Sequence, residues 1–188
     1  MLGAGLVVLT LMLLVVPLLL EVQETVRRFT HPLLYEETIR ATAAENGVEP
    51  ALAAAVIRTE SRFDEEVRSS RGAYGLMQIL PETARFISER GGVGGDYRDP
   101  ETNIRMGTWY LGYLQDRYEG DEKLTLAAYN SGEGQVDGWI SEGRFNVAHD
   151  IPFEETREYV EDVLEARETY AELYGRNLDR DLDTPPNS

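Results

Sequence analysis

Beyond residue 35, apolar side chains recur at three- and four-residue spacing through most of the chain. Several of these runs open on a proline, a residue that the first turn of a helix accepts and its interior does not. Pro50 begins a run in which Leu52, Ala55, Val56 and Thr59 share one helical face. Pro81 begins another that stops at Gly91-Gly92, and Pro100 a longer one with Ile104, Thr108, Leu111, Leu114 and Tyr118 in register. Further helices are expected over 35–46, closed by Gly47 as a left-handed cap, and over 121–130, 135–141 and 153–174. No stretch alternates like a strand and no repeat of fixed period is present. The expected fold class is all-α.

A chain of 188 residues has room for one ordinary domain with appendages. Residues 1–20 carry no charged side chain and as a helix would span roughly 30 Å, one hydrocarbon core. No small-x-small cleavage site follows, so the segment is expected to be a retained transmembrane anchor rather than a removed signal. Residues 21–34 are expected as a linker, 35–174 as the globular domain and 175–188, which lack an apolar face, as a disordered tail. Arg27 and Arg28 follow the apolar segment and nothing basic precedes it, so the positive-inside rule taken alone would hold the domain in the cytoplasm.

Charge and composition exclude several functions. With 18 basic and 34 acidic residues the formal charge is −16, which opposes binding to nucleic acid or to anionic headgroups. There is no cysteine, hence no disulfide, thiolate metal site or cysteine nucleophile. His31 and His149 stand in no local ligand motif, and neither a metal nor a cofactor is expected. The glycine-rich stretch 91–95 lacks the strand-turn-helix context of a phosphate loop, and no GxSxG elbow suggests a serine hydrolase.

Three segments carry groups suited to chemistry. Glu60 lies where an apolar helix gives way to a polar loop, a place where partial desolvation can raise a carboxyl pKa enough for proton donation near neutrality. The segment Gly72-Ala73-Tyr74-Gly75-Leu76-Met77-Gln78 places an amide, both donor and acceptor, beside tight turns. Ala128-Tyr129-Asn130-Ser131-Gly132 places a phenol and an amide at a helix end closed by glycine. Taken singly, these read more readily as a surface glutamate, a turn entering a helix with Met77 as core filler, and a helix cap.

Taken in order, Val56-Ile57-Arg58-Thr59-Glu60-Ser61-Arg62-Phe63, Gly72 to Gln78 with Pro81-Glu82-Thr83-Ala84, Ala128 to Gly132, and Ile151-Pro152-Phe153-Glu154-Glu155-Thr156-Arg157-Glu158-Tyr159-Val160 closely resemble the soluble-lytic-transglycosylase type of domain in the goose-lysozyme-like superfamily. The resemblance covers residues 35–173 and implies a lysozyme-like helical domain whose groove holds peptidoglycan glycan strands. It implies Glu60 as the sole catalytic acid and base, with the Tyr129 hydroxyl bonded to it. Ser69, Gln78, Met77 and Asn130 are implied as substrate contacts, and Glu155 and Tyr159 as closing the site near the peptide-bearing side. Its substrate implies a domain on the extracytoplasmic side, opposite to what Arg27 and Arg28 alone suggest; with the apolar run at 1–20 as anchor, the expectation is a single-pass bacterial membrane protein that has the membrane as a partner through its N-terminal helix. The departures are Glu65, Leu80 and Ser131, where the family often has proline, methionine and alanine. The implied reaction is cleavage between N-acetylmuramic acid and N-acetylglucosamine with a 1,6-anhydromuramoyl product. The alternatives are a goose-type lysozyme hydrolysing the same bond, a non-catalytic peptidoglycan-binding protein, and a helical domain that docks a partner through its acidic last helix.

Overall fold

The computed structural model describes residues 2–142 and 151–178. Within them the chain forms α1 (Leu2–Thr30), α2 (Glu36–Asn46), α3 (Pro50–Ser61), α4 (Pro81–Gly91), α5 (Pro100–Arg117), α6 (Glu122–Ser131), α7 (Glu133–Ser141) and α8 (Glu154–Leu178). The described residues contain no strand, only isolated antiparallel bridges at Arg68, Tyr74 and Ile79. The chain divides into two units, residues 1–32 and residues 33–188.

The first unit corrects one expectation. Its helix does not stop with the apolar run at Leu20 but continues through Glu21, Glu24, Arg27 and Arg28 to Thr30, with Arg28 paired to Glu24 one turn back. Among the described residues, no helix is long and apolar enough to cross a membrane. The expected transmembrane helix is therefore overturned, the single-pass anchoring that depended on it is without support, and most of the segment expected as a linker is helical.

In the second unit, the prolines at 50, 81 and 100 all occupy first-turn positions, and Gly47 and Gly92 close α2 and α4 in the left-handed conformation. α5 and α6 are capped by Asp99 and Asp121, whose carboxylates accept from the backbone N–H of Thr102 and Leu124. The core is organised around α3. All residues from Ala51 to Ile57 are buried, as expected for a helix apolar on every side. Its run of alanines lets neighbouring helices come close: α3 packs most extensively on α8 and also on α2. α2 in turn packs on α5, and α6 on α5, α7 and α8. Arg167 of α8 fastens this arrangement, reaching Glu49 at 2.7 Å and Glu122 at 2.8 Å, carboxylates at the N-terminal ends of α3 and α6. α8 extends to Leu178, past the expected end at 174; His149 and most of the expected tail lie outside the described residues.

Candidate active site

α3 delivers Glu60 at its last turn, just where the chain leaves the core. Arg62 and Phe63 both adopt positive φ (54° and 65°), so the backbone reverses sharply after the helix. Ser61 holds the reversal, its hydroxyl donating to Ile57 O and accepting from Phe63 N. The chain then folds into a compact double turn over residues 67–79. Gly72 N donates to Ser69 O and Ser69 N to Ala73 O, both at 3.0 Å, while Tyr74 and Ile79 exchange a pair of backbone bonds at 3.1 Å.

Asn103 of α5 anchors this loop from within the core. The fully buried side chain accepts from Met77 N at 2.7 Å and donates to Tyr74 O at 2.9 Å and Tyr97 O at 2.7 Å, so one amide satisfies three backbone groups. The close approach needs glycine on both sides. A Cβ on Gly75, whose φ is +80°, would lie 2.8 Å from Asn103 Nδ2, and one on Gly107 would lie 2.4 Å from Met77 Sδ.

A groove runs over this loop and the end of α6. One cavity of about 340 Å³ is lined by Glu60, Ser69, Ser70, Arg71, Ala73, Gln78, Leu80, Tyr129, Asn130 and Glu155. A second, of about 180 Å³, extends past Gln78 and Leu80 to Thr83 and Tyr110. A third, of about 480 Å³, extends along Gln135, Phe153 and Glu154 to Thr156. Arg71 and Asn130 line all three, which makes the compartments neighbours along one groove.

Glu60 retains some exposed surface but is densely surrounded by protein, and burial is the main cause that raises its pKa from 4.5 to about 7. The Tyr159 hydroxyl opposes that rise by interacting with the charged form. Tyr159 is buried and its Oη makes no hydrogen bond of good geometry, so its hold on Glu60 is a loose one. The Tyr129 hydroxyl, expected to bond Glu60, instead donates to Met77 O at 2.9 Å. Tyr129 remains close enough for the Glu60 charge to help raise its own pKa, after burial, well above the ordinary value.

The remaining expected residues fall as follows. Ser69 lines the cavity and its Oγ accepts from Ala73 N at 3.0 Å, leaving its own proton available. Gln78, at φ 48°, spends both amide protons on Val67 O and Gly75 O, so toward a ligand it offers its carbonyl as an acceptor. Asn130 accepts from the Thr156 hydroxyl at 2.9 Å through Oδ1, which leaves its Nδ2 as the group for a ligand. Glu155 is exposed and lines the cavity shared with Glu60. Met77, expected as a substrate contact, departs from that placement. Its side chain is fully buried against Gly107 and lines none of the three cavities, because the glycine leaves a socket that draws it into the core.

Among the described residues no group of three or more His, Cys, Asp or Glu side chains could hold a metal ion. The assembly sets one carboxyl of raised pKa, Glu60, in a groove that also presents amides, hydroxyls, Glu155 and Arg71, an arrangement suited to proton transfer on a polyhydroxylated substrate.

The family model described as Transglycosylase SLT domain matches residues 37–149. The chain belongs to this family. It is 37% identical over 143 residues to the soluble lytic murein transglycosylase of Escherichia coli K12, covering 71% of this chain and 22% of that protein. It is 34% identical over 170 residues to the membrane-bound lytic murein transglycosylase C of Actinobacillus pleuropneumoniae, covering 74% of this chain and 46% of that one. Among solved structures, the 70 kDa soluble lytic transglycosylase of E. coli superimposes with a TM-score of 0.74 at 34% identity, over 79% of this chain and 26% of that one. The chain thus spans less than half the length of these curated relatives, and the likeness is that of an SLT domain.

Two groove residues of this SLT domain were not singled out from the sequence. Tyr110 of α5 packs against Tyr129 with ring centroids 5.6 Å apart and lines the second compartment; its three- and four-residue spacing reads as core. Arg71 carried no signal that set it apart from Arg62 or Arg68 in the same polar loop.

Proposed function

We propose that this chain is a peptidoglycan lytic transglycosylase, cleaving the bond between N-acetylmuramic acid and N-acetylglucosamine and leaving a 1,6-anhydromuramoyl end. The observation that carries the reading is the Glu60 carboxyl, held by burial at a pKa of about 7 in the wall of the groove. At that value it is a competent proton donor near neutrality and, once ionised, a competent base.

Glu60 donates its proton to the glycosidic oxygen as the bond to the muramoyl anomeric carbon breaks. The substrate's own N-acetyl oxygen stabilises the positive charge that develops there. Ionised Glu60 then takes the proton of the muramoyl C6 hydroxyl, whose oxygen closes onto the anomeric carbon. The carboxyl ends protonated as it began, and no water is added. Held in place, the C6 hydroxyl outcompetes water through its high effective concentration.

A glycosidase working with two carboxylates places them about 5–10 Å apart. Glu155 shares the Glu60 cavity but is exposed, whereas burial keeps Glu60 protonated up to about pH 7, so the scheme assigns both proton transfers to Glu60. Asn130 Nδ2, the Ser69 hydroxyl and Gln78 Oε1 serve as the substrate's hydrogen-bond partners. Because the substrate lies outside the cytoplasmic membrane, the domain works on that side.

Mass spectrometry of digested peptidoglycan tests the reading. Intramolecular capture in place of water gives fragments about 18 Da lighter than hydrolysis products. Glu60→Gln is expected to abolish cleavage while keeping the fold, and Glu155→Gln to leave the anhydro product in place. Reducing ends alone would favour the goose-type lysozyme reaction, and a fully active Glu60→Gln enzyme would remove Glu60 from the mechanism.

A further inference from the structure

The groove has one cationic side chain among its described lining residues, Arg71, and it lies where the three compartments meet. Its setting is anionic: Glu60 and Glu155 line the cavity it shares with them, Glu154 lines the next, and the chain as a whole carries a formal charge of −16. Other arginines of the domain are spent on ion pairs, Arg117 with Glu133 and Asp137, and Arg167 with Glu49 and Glu122. Arg71 has neither an ion pair nor a hydrogen bond among the described residues, although Glu155 lines two of the same compartments.

The backbone that presents Arg71 is fixed. It sits inside the turn closed by Gly72 N to Ser69 O, with Gly72 at φ +88°, and the Ala73 N bond to Ser69 Oγ locks the turn from the other side. An unpaired guanidinium on a rigid turn, in a groove whose other described lining residues are acidic, neutral polar or apolar, is suited to a planar oxyanion that can be gripped by two parallel N–H bonds.

We propose that Arg71 is a specificity-determining residue that binds a carboxylate carried by the 3-O-lactyl substituent of the muramoyl sugar. Resting on the transglycosylase reading for its substrate, the inference adds what selects an anionic strand despite an acidic protein. Two carboxylates could meet Arg71: the lactyl group itself on peptide-free strands, or a carboxylate of the stem peptide where the lactyl group is amidated.

The test is binding in a Glu60→Gln background, so that turnover does not interfere, with and without Arg71→Ala or Arg71→Lys. The ligands are peptide-bearing glycan strands, strands stripped of peptide, and a chitooligosaccharide of the same length, which has no carboxylate. Arg71→Ala is expected to weaken binding about ten-fold for at least one carboxylate-bearing ligand, the size of one charge-assisted pair. Arg71→Lys should recover part of it, and chitooligosaccharide affinity should not change. Loss confined to stripped strands assigns the lactyl carboxylate, and loss confined to peptide-bearing strands assigns the stem peptide. An equal loss for the chitooligosaccharide, or no loss for either carboxylate-bearing strand, overturns the proposal. Failure of the transglycosylase reading would show separately, as absence of anhydro product from the protein with Glu60 and Arg71 intact.

Discussion

The Tyr129 hydroxyl donates to the carbonyl oxygen of Met77 at 2.9 Å and so ties the end of α6 to the loop that forms the groove floor. Met77 is fully buried, so that carbonyl has no ready substitute partner. Tyr129→Phe should therefore cost stability, about 1–3 kcal/mol for one buried acceptor left unsatisfied. It should also lower activity through loosening of Gln78, the next residue. Denaturant unfolding and kcat/KM measured on the same preparation check this. Unchanged stability with reduced activity would instead mean that the hydroxyl acts directly on Glu60.

Tyr159→Phe should move a pH profile rather than unfold the domain. Its hydroxyl favours the ionised Glu60 carboxyl and so holds down a pKa that burial has raised to about 7. In the proposed reaction cleavage requires the protonated acid, so kcat/KM of the unaltered protein should fall as pH rises through about 7. With the hydroxyl gone the carboxyl keeps its proton to higher pH, and that alkaline limb should shift upward. A downward shift would place Tyr159 on the neutral form of Glu60 instead.

Much of the helical frame was legible because its signals are local. A proline in the first turn or a glycine in the left-handed region constrains only its own neighbourhood, and α3, α4 and α5 begin at Pro50, Pro81 and Pro100, while α2 and α4 end against Gly47 and Gly92. The candidate site was less legible, because its details depend on what meets across helices. Which of two tyrosines faces Glu60 is decided by how α6 and α8 lie over the loop. Whether Met77 faces the groove or the core is decided by Gly107, thirty residues on in the sequence. Arg71 differs from Arg68 only in the turn that carries it, and the end of α1 was misjudged because charged residues at the foot of an apolar run look the same in a helix as in a linker.

Asn103 should prove more important to the site than its distance from Glu60 in sequence suggests. Asn103→Ala would leave Met77 N, Tyr74 O and Tyr97 O without their partner, at a cost of about 3 kcal/mol or more. Asn103→Asp keeps an acceptor for Met77 N but loses both donors, and places a carboxylate against two carbonyl oxygens. Both variants should unfold at lower temperature. At temperatures where they remain folded, both should still show reduced cleavage, since the double turn carrying Ser69, Arg71 and Gln78 is no longer held from below. Wild-type activity in a folded Asn103→Ala protein would show that the loop keeps its shape without the anchor.

Glu60→Gln should stabilise the protein, and only above a definite pH. In the unfolded chain the carboxyl has its ordinary pKa of 4.5, whereas in the folded protein burial raises it to about 7. Between those values the folded state holds a proton that the unfolded state has released, so stability falls as pH rises. Below 4.5 both states are protonated and Glu60 imposes no penalty; above about 7 both are ionised and the penalty is complete. The gap corresponds to at most roughly 3–4 kcal/mol, since one pH unit is about 1.4 kcal/mol. Glutamine has no charge to desolvate and fills nearly the same volume. Thermal unfolding of the two proteins across pH 4 to 9 should thus give similar midpoints at the acid end, with the Gln variant increasingly more stable through neutrality and a constant gap beyond. A gap that is already present at the acid end would trace the effect to packing, and the absence of any gap at pH 9 would mean that the Glu60 carboxyl is solvated well enough to ionise freely, removing the property on which its role as proton donor depends.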